Sequence, residues 1–160
     1  MNLRKLILLC FLGLLSCEKD DICLEGTPGT PRMIVLFKDY NDPSTSKAVN
    51  ELTIKGLNQE ANYQIFSGDS IALPLRNNFD ITQYKLVLDT DTEKQNSDSL
   101  QINHKQFDIY INRACGYKSN YIFGNPPFYL LTQGNGWIKS IAIIKDTITD
   151  EKSSHLAIYH

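Results

Sequence analysis

The chain reads as all-β, an antiparallel β-sandwich of about eight to ten short strands, immunoglobulin-like or a near relative. Short apolar segments, several of them alternating with period two, are separated by clusters of Gly, Pro, Asn, Asp and Ser. No stretch repeats its apolar residues at convincing helical spacing. The 8 Tyr and 7 Phe point the same way, because aromatic rings pack well on a pleated surface. A small barrel satisfies the same pattern and is the runner-up.

At 160 residues the chain is sized for one domain, and the sheet-forming body begins at Arg32. Met33 to Phe37 is a continuous apolar run, as expected of a central strand covered on both faces. Leu52 and Ile54 share one side of a second strand. Between Tyr63 and Leu75, Ser67-Gly68-Asp69 is a turn sequence joining two short strands, and Ile71 and Leu73 match in parity. Tyr84, Leu86 and Leu88 mark the next strand. Asp89 to Asp98 carries no apolar residue and is expected as an exposed loop. Leu100 and Ile102 open a further strand, Asn103-His104-Lys105 reads as a tight turn, and Phe107-Ile109-Ile111 as the antiparallel return. Glycine-rich punctuation at Gly116, Gly124 to Pro127 and Gln133 to Gly136 breaks up the later apolar runs. Trp137 to Ile144 is predicted as a strand and His155 to His160 as a last short one, pinned by pairing rather than frayed.

The N-terminus carries an address. Residues 1–16 combine basic Arg4 and Lys5, an apolar run from Leu6 to Leu15 interrupted by Gly13, and small Ser16, the three parts of a signal peptide. The run is too short to span a bilayer. Leu14-Leu15-Ser16-Cys17 resembles the bacterial lipobox, in which a diacylglyceryl group is attached to the cysteine thiol before cleavage on its N-terminal side. The expected organisation is therefore a leader over 1–16, lipidated Cys17 and an extended tether over 17–31, and the sandwich over 32–160. An ordinary leader cut nearby, leaving Cys17 a plain thiol, is the alternative. Glu18-Lys19-Asp20-Asp21 resembles the export signal of Bacteroidota lipoproteins, which directs them to the outer face of the outer membrane, and reads equally well as a solvated spacer. Leu24 to Pro31 is extended and turn-prone. Once Arg4 and Lys5 leave with the leader, 14 Lys and Arg face 18 Asp and Glu, a formal −4, which argues against a nucleic-acid partner.

Of four cysteines, Cys10 lies in the leader and Cys17 takes the lipid, so Cys23 and Cys115 remain. In an oxidising compartment they are expected to pair. Phe107, Ile109, Ile111 and Cys115 share one parity, which predicts that they face one side, with Arg113 among them at an edge or paired. Two lone cysteines without a third ligand nearby make a poor metal site.

No catalytic constellation stands out. His104 falls in the expected turn, and His155 and His160, five apart, would point to opposite faces of a strand; all three read as surface or half-buried structural residues, with no metal. Asp89, Asp91 and Glu93 alternate like the start of a calcium loop, but the sixth and twelfth positions are Lys94 and Leu100 in place of Gly and Glu, so at most weak calcium binding is expected and no other cofactor. There is no GxSxG elbow. Tyr117, Tyr121, Phe123, Phe128, Tyr129 and Trp137 form an aromatic-rich stretch around Pro126-Pro127, a candidate binding surface if exposed and core packing if not.

Four segments, Cys17 to Cys23 (CEKDDIC), Gly26 to Arg32 (GTPGTPR), Ser70 to Arg76 (SIALPLR) and Asn112 to Lys118 (NRACGYK), together resemble an uncharacterised lipoprotein family of Bacteroidota, a domain of unknown function. The likeness covers essentially the whole mature chain. It implies lipidation, source phylum and envelope location, and brings no catalytic residues. The expected role is a non-enzymatic module anchored to the outer membrane, binding or supporting another envelope component such as an integral outer-membrane protein. The rivals are a glycan-binding module using the 117–137 aromatics and a hydrolase, which would need a pocket holding a base beside a nucleophile.

Overall fold

The computed structural model describes residues 22–88, 96–132 and 136–160, and these contain no helix. The strands are β1 (Met33–Lys38), β2 (Val49–Gly56), β3 (Asn62–Gly68), β4 (Ser70–Leu73), β5 (Ile81–Leu88), β6 (Asn96–Asn112), β7 (Gly116–Leu130), β8 (Ser140–Ile143), β9 (Thr147–Ile148) and β10 (Leu156–Tyr159). They form a β-sandwich of two sheets, ordered β4-β1-β10-β8 and β3-β2-β5-β6-β7-β9. Every pairing is antiparallel except β1 with β10, where Val35 to Lys38 run alongside Leu156 to Tyr159.

Alternation builds the core. Met33, Val35 and Phe37 of β1, with Leu156 and Ile158 of β10, face Leu52 and Ile54 of β2, Leu86 of β5, Leu100 and Ile102 of β6 and Tyr121 of β7. Each such aliphatic or aromatic side chain contributes roughly 1.5–3 kcal/mol by leaving water. The Phe37 ring sits 6.3 Å from both Phe66 and Trp137, so it bridges the two sheets.

β1 is central in its sheet, as its sequence suggests, but it is not covered on both sides. Ile34 and Leu36 are half-buried, since each sheet of a two-layer sandwich keeps an outer face. The Ser67-Gly68-Asp69 turn is present, yet it does not make a hairpin. It passes the chain from β3, an edge of the six-stranded sheet, to β4, an edge of the other. The expected strand over Trp137 to Ile144 shortens to β8. Trp137 precedes it in a loop and is buried, its Nε1 donating to the Leu86 carbonyl at 3.2 Å, while the Ile138 amide donates to Asp98 Oδ2 at 2.8 Å. A side chain at Gly136 would collide with the Asp98 carboxylate, so the loop that seats Trp137 needs glycine there.

The largest departure concerns Asn103-His104-Lys105, where no turn exists. β6 continues for 17 residues through this point, and Asp98, Leu100, Ile102 and His104 are all buried, two residues apart along one face. Polarity alone suggested a turn; alternation is what the backbone followed. The reversal falls instead at Arg113-Ala114-Cys115, closed by Gly116 in the left-handed region at φ 68° and by Asn112 Oδ1 accepting from the Cys115 amide at 2.7 Å. Cys115 therefore lies in the turn and not on a strand face with Phe107 and Ile109, both of which are exposed, as is Arg113.

Two of the three histidines are core residues, not surface ones. His104 Nε2 pairs with Thr82 Oγ1 at 2.8 Å, and His155 Nδ1 accepts from the Ile34 amide at 2.9 Å. His104 Nδ1 and His155 Nε2 are buried without a hydrogen-bond partner, so a doubly protonated ring would leave an unpaired buried N–H. Burial lowers the pKa of His104, His155 and the partly buried His160 below the 6.5 of an unfolded chain. The unfolded chain then takes up protons first, so stability is complete above about pH 6.5 and declines as the pH falls through the window beneath it. Thermal melts should show a falling melting temperature between about pH 7 and pH 5, before the carboxylates titrate. A flat profile across that range would contradict neutral buried rings.

Candidate functional site

The hairpin of β6 and β7 outgrows the sandwich. β5 begins at Ile81, paired with Asn103, so β6 from Lys105 onward has β7 as its strand neighbour and extends for roughly 25 Å. A two-stranded ribbon is marginal in water by itself. Here it is held at its root, along one flank and at its tip.

At the root, Thr82 Oγ1 accepts from the Arg76 amide at 2.9 Å while it contacts His104. The Tyr121 ring meets His104 edge-on at 5.3 Å, and its hydroxyl donates to Asn77 Oδ1. Gln106 Oε1 accepts from the Asn78 amide at 2.7 Å, and Gln106 Nε2 and Ser119 Oγ both donate to Asp108 Oδ1 at 2.8 Å. Those two bonds hold the exposed Asp108 carboxyl below its ordinary range.

The flank is the N-terminal segment, which lies against the ribbon. Arg32 grips Glu151 in a two-point ion pair, with Nε to Oε1 at 2.9 Å and Nη2 to Oε2 at 2.7 Å. Further out, the Ser119 amide donates to Thr30 Oγ1 at 3.0 Å. Leu24 to Thr27 forms a turn, the Thr27 amide donating to the Leu24 carbonyl at 3.1 Å with Gly26 at φ 84°. At the tip, Cys23 and Cys115 form the expected disulfide, with Cα atoms 4.8 Å apart and 92 residues between them in sequence. Around this bond exposed apolar side chains stand among polar Asn112, Arg113 and Glu25. Ile22 and Leu24 are each 71% exposed, Tyr117 is 70% exposed, and Tyr110 packs on Tyr117 at 5.2 Å across the ribbon. Ile22, Leu24, Tyr110, Ile111 and Arg113 line a cleft of about 380 Å³ there.

The six aromatics do not form one surface. Tyr121 and Trp137 are buried, and Phe123 and Phe128 pack against the core. Tyr117 stands at the tip, while exposed Tyr129 lies opposite Gln101 on the sandwich body, twelve residues along β7 and on the order of 40 Å away. Sequence reasoning missed Ile22, Leu24 and Tyr110 as companions of Tyr117. Their signal was adjacency to the cysteines, which only the disulfide turns into proximity. Asp89, Asp91, Glu93 and Cys17 lie outside the described residues. Among the described residues no three His, Cys, Asp or Glu side chains are placed to share a metal ion, and the Thr82–His104 pair is sealed from solvent.

Fold and site together define a β-sandwich with a disulfide-braced projecting ribbon. Residues 51–160 match the model of a family of unknown function, DUF6452, and the chain belongs to that family. The matched span runs from β2 to β10 and includes the ribbon and Cys115, with β1 and Cys23 ahead of it. No curated protein and no solved structure matches the chain.

Closing a loop of this length restrains the unfolded chain by about 4 to 5 kcal/mol in the chain-entropy model. Cys115→Ser should lower the melting temperature under oxidising conditions by about 10 °C, and reductant should do the same to the wild type while leaving the variant unchanged. Limited proteolysis of the variant should also cut after Arg32 far faster. Identical melting of the two proteins would mean that the bond does not brace the fold.

Proposed function

We propose that the chain is an exported lipoprotein of the Bacteroidota envelope, acylated at Cys17 and held at the outer membrane as a non-enzymatic module that binds or supports another envelope component. One observation carries this reading. Cys23, six residues after the lipobox cysteine, is joined covalently to the tip of the ribbon, so a lipid on Cys17 would be tied to the folded body by a short connection of fixed attachment. A disulfide at this place suits export to an oxidising compartment. A cysteine bearing two or three acyl chains is sufficient for stable membrane attachment.

An accessory role fits a body whose polar groups are spent on structure: Asp98 seats the Trp137 loop, and His104 and His155 bind Thr82 and the β1 backbone. In the aromatic stretch the exposed rings, Tyr117 and Tyr129, stand at separate ends of β7, which does not favour a glycan platform. Intact mass spectrometry of the protein extracted from membranes of a Bacteroidota host should find Cys17 as the first residue, carrying a diacylglyceryl thioether. Cys17→Ser should abolish that mass and leave an uncleaved chain. A mature product with an unmodified Cys17, recovered in the soluble fraction, would refute the anchor.

A further inference from the structure

We propose that the ribbon tip, formed by Ile22, Leu24, Tyr110 and Tyr117 around the Cys23–Cys115 bond, lies in the headgroup zone of the bilayer and is a second, protein-based membrane contact. This rests on the lipid anchor at Cys17. Ile22 is five positions after Cys17, and a fully extended chain over those five steps reaches about 18 Å at most. The tip is therefore the part of the folded body that the anchor keeps against the membrane.

Its chemistry matches that location. Two aliphatic side chains and two tyrosines are exposed together, and tyrosine suits the boundary between acyl chains and water, with an apolar ring and a hydroxyl that stays wet. Exposed Arg113 stands in the turn itself, where its guanidinium can meet lipid phosphate. The acidic groups nearby are Asp108, set back toward the root and bonded to Gln106 and Ser119, and exposed Glu25, which follows Leu24 in its turn. Tyr63 and Ile65 also lie exposed, but on β3, the edge strand at the other side of the six-stranded sheet from the N-terminal segment. Because the disulfide fixes Ile22 and Leu24 to the turn, the tip presents one rigid patch, and the sandwich stands above the surface with the ribbon as its leg.

The test uses the full acylated protein in vesicles of phosphatidylethanolamine and phosphatidylglycerol containing a phospholipid with a photoactivatable diazirine near its headgroup. Crosslinks should concentrate on the peptides holding Ile22 to Leu24 and Ile109 to Tyr117. Tyr110→Ser combined with Tyr117→Ser should cut that labelling several-fold, with the disulfide intact and the melting temperature lowered by no more than a few degrees for the lost cross-strand ring contact. Labelling confined to the anchor, or directed to the β3 edge, while Cys17 still carries lipid would overturn the docked tip and leave the anchor standing. So would copy-to-copy crosslinks through the tip in place of lipid adducts, which would make the patch a self-association surface. An unacylated Cys17 would remove both readings together.

Discussion

A ribbon of two strands cannot bury enough surface to hold itself in water, and that constraint organises the hairpin beyond Gln106, where β9 no longer pairs with β7. The sandwich supplies a root, where Tyr121 and His104 plug the point at which β6 and β7 leave the sheet. The N-terminal segment supplies a flank through Arg32 and Thr30. The Cys23–Cys115 bond closes the far end. Ion pairs between exposed groups are worth little by themselves, about 1 kcal/mol or less, so Arg32 and Glu151 alone would not keep the segment in place. The covalent bond makes the weak contacts between them local and persistent, because their partners no longer have to be found.

The sheet-forming character of the chain was legible because alternation survives in nearly every strand: Leu52 with Ile54, Ile71 with Leu73, Tyr84 with Leu86. The disulfide was legible by elimination, once Cys10 and Cys17 were assigned to an expected leader and lipobox. What misled was local polarity. Asn103-His104-Lys105 looks like a turn because such residues usually seek water, yet His104 keeps the inward parity of Leu100 and Ile102 and finds Thr82 across the sheet. That partner is 22 residues away, and no local window contains it. The same blindness hid the tip. Ile22, Leu24, Tyr110 and Tyr117 are scattered in sequence, and the aromatic stretch drew attention toward Phe123, Phe128 and Trp137, which the core had already claimed.

Three of the buried polar groups fit one pattern. Asp98, His104 and His155 each sit where a loop or strand end must be brought to the sandwich: the Trp137 loop, the Arg76 turn and the β1 backbone. Each leaves one polar atom without a partner, at Asp98 Oδ1, His104 Nδ1 and His155 Nε2. Such groups cost stability relative to an apolar core, but they make a connection directional in a way that hydrophobic packing does not. Their burial also removes them from chemistry with solvent, which separates the polar interior from the surface where a partner would be met.

That surface is uneven in kind. On the outer face of the six-stranded sheet a row of side-chain amides is linked, Gln83 to Gln101, Gln101 to Asn103 and Asn103 to the Pro126 carbonyl. The ribbon tip differs, with large apolar side chains exposed beside a cleft that also holds Asn112 and Arg113. Contiguous apolar exposure on a folded domain marks a place where something else excludes the water. The disulfide gathers there Ile22, Leu24 and Tyr117, the three most exposed large hydrophobic side chains among the described residues, close in sequence to the proposed point of attachment at Cys17. A body hung from a free tether would have no reason to concentrate tyrosine and isoleucine there; one that leans on its anchor would.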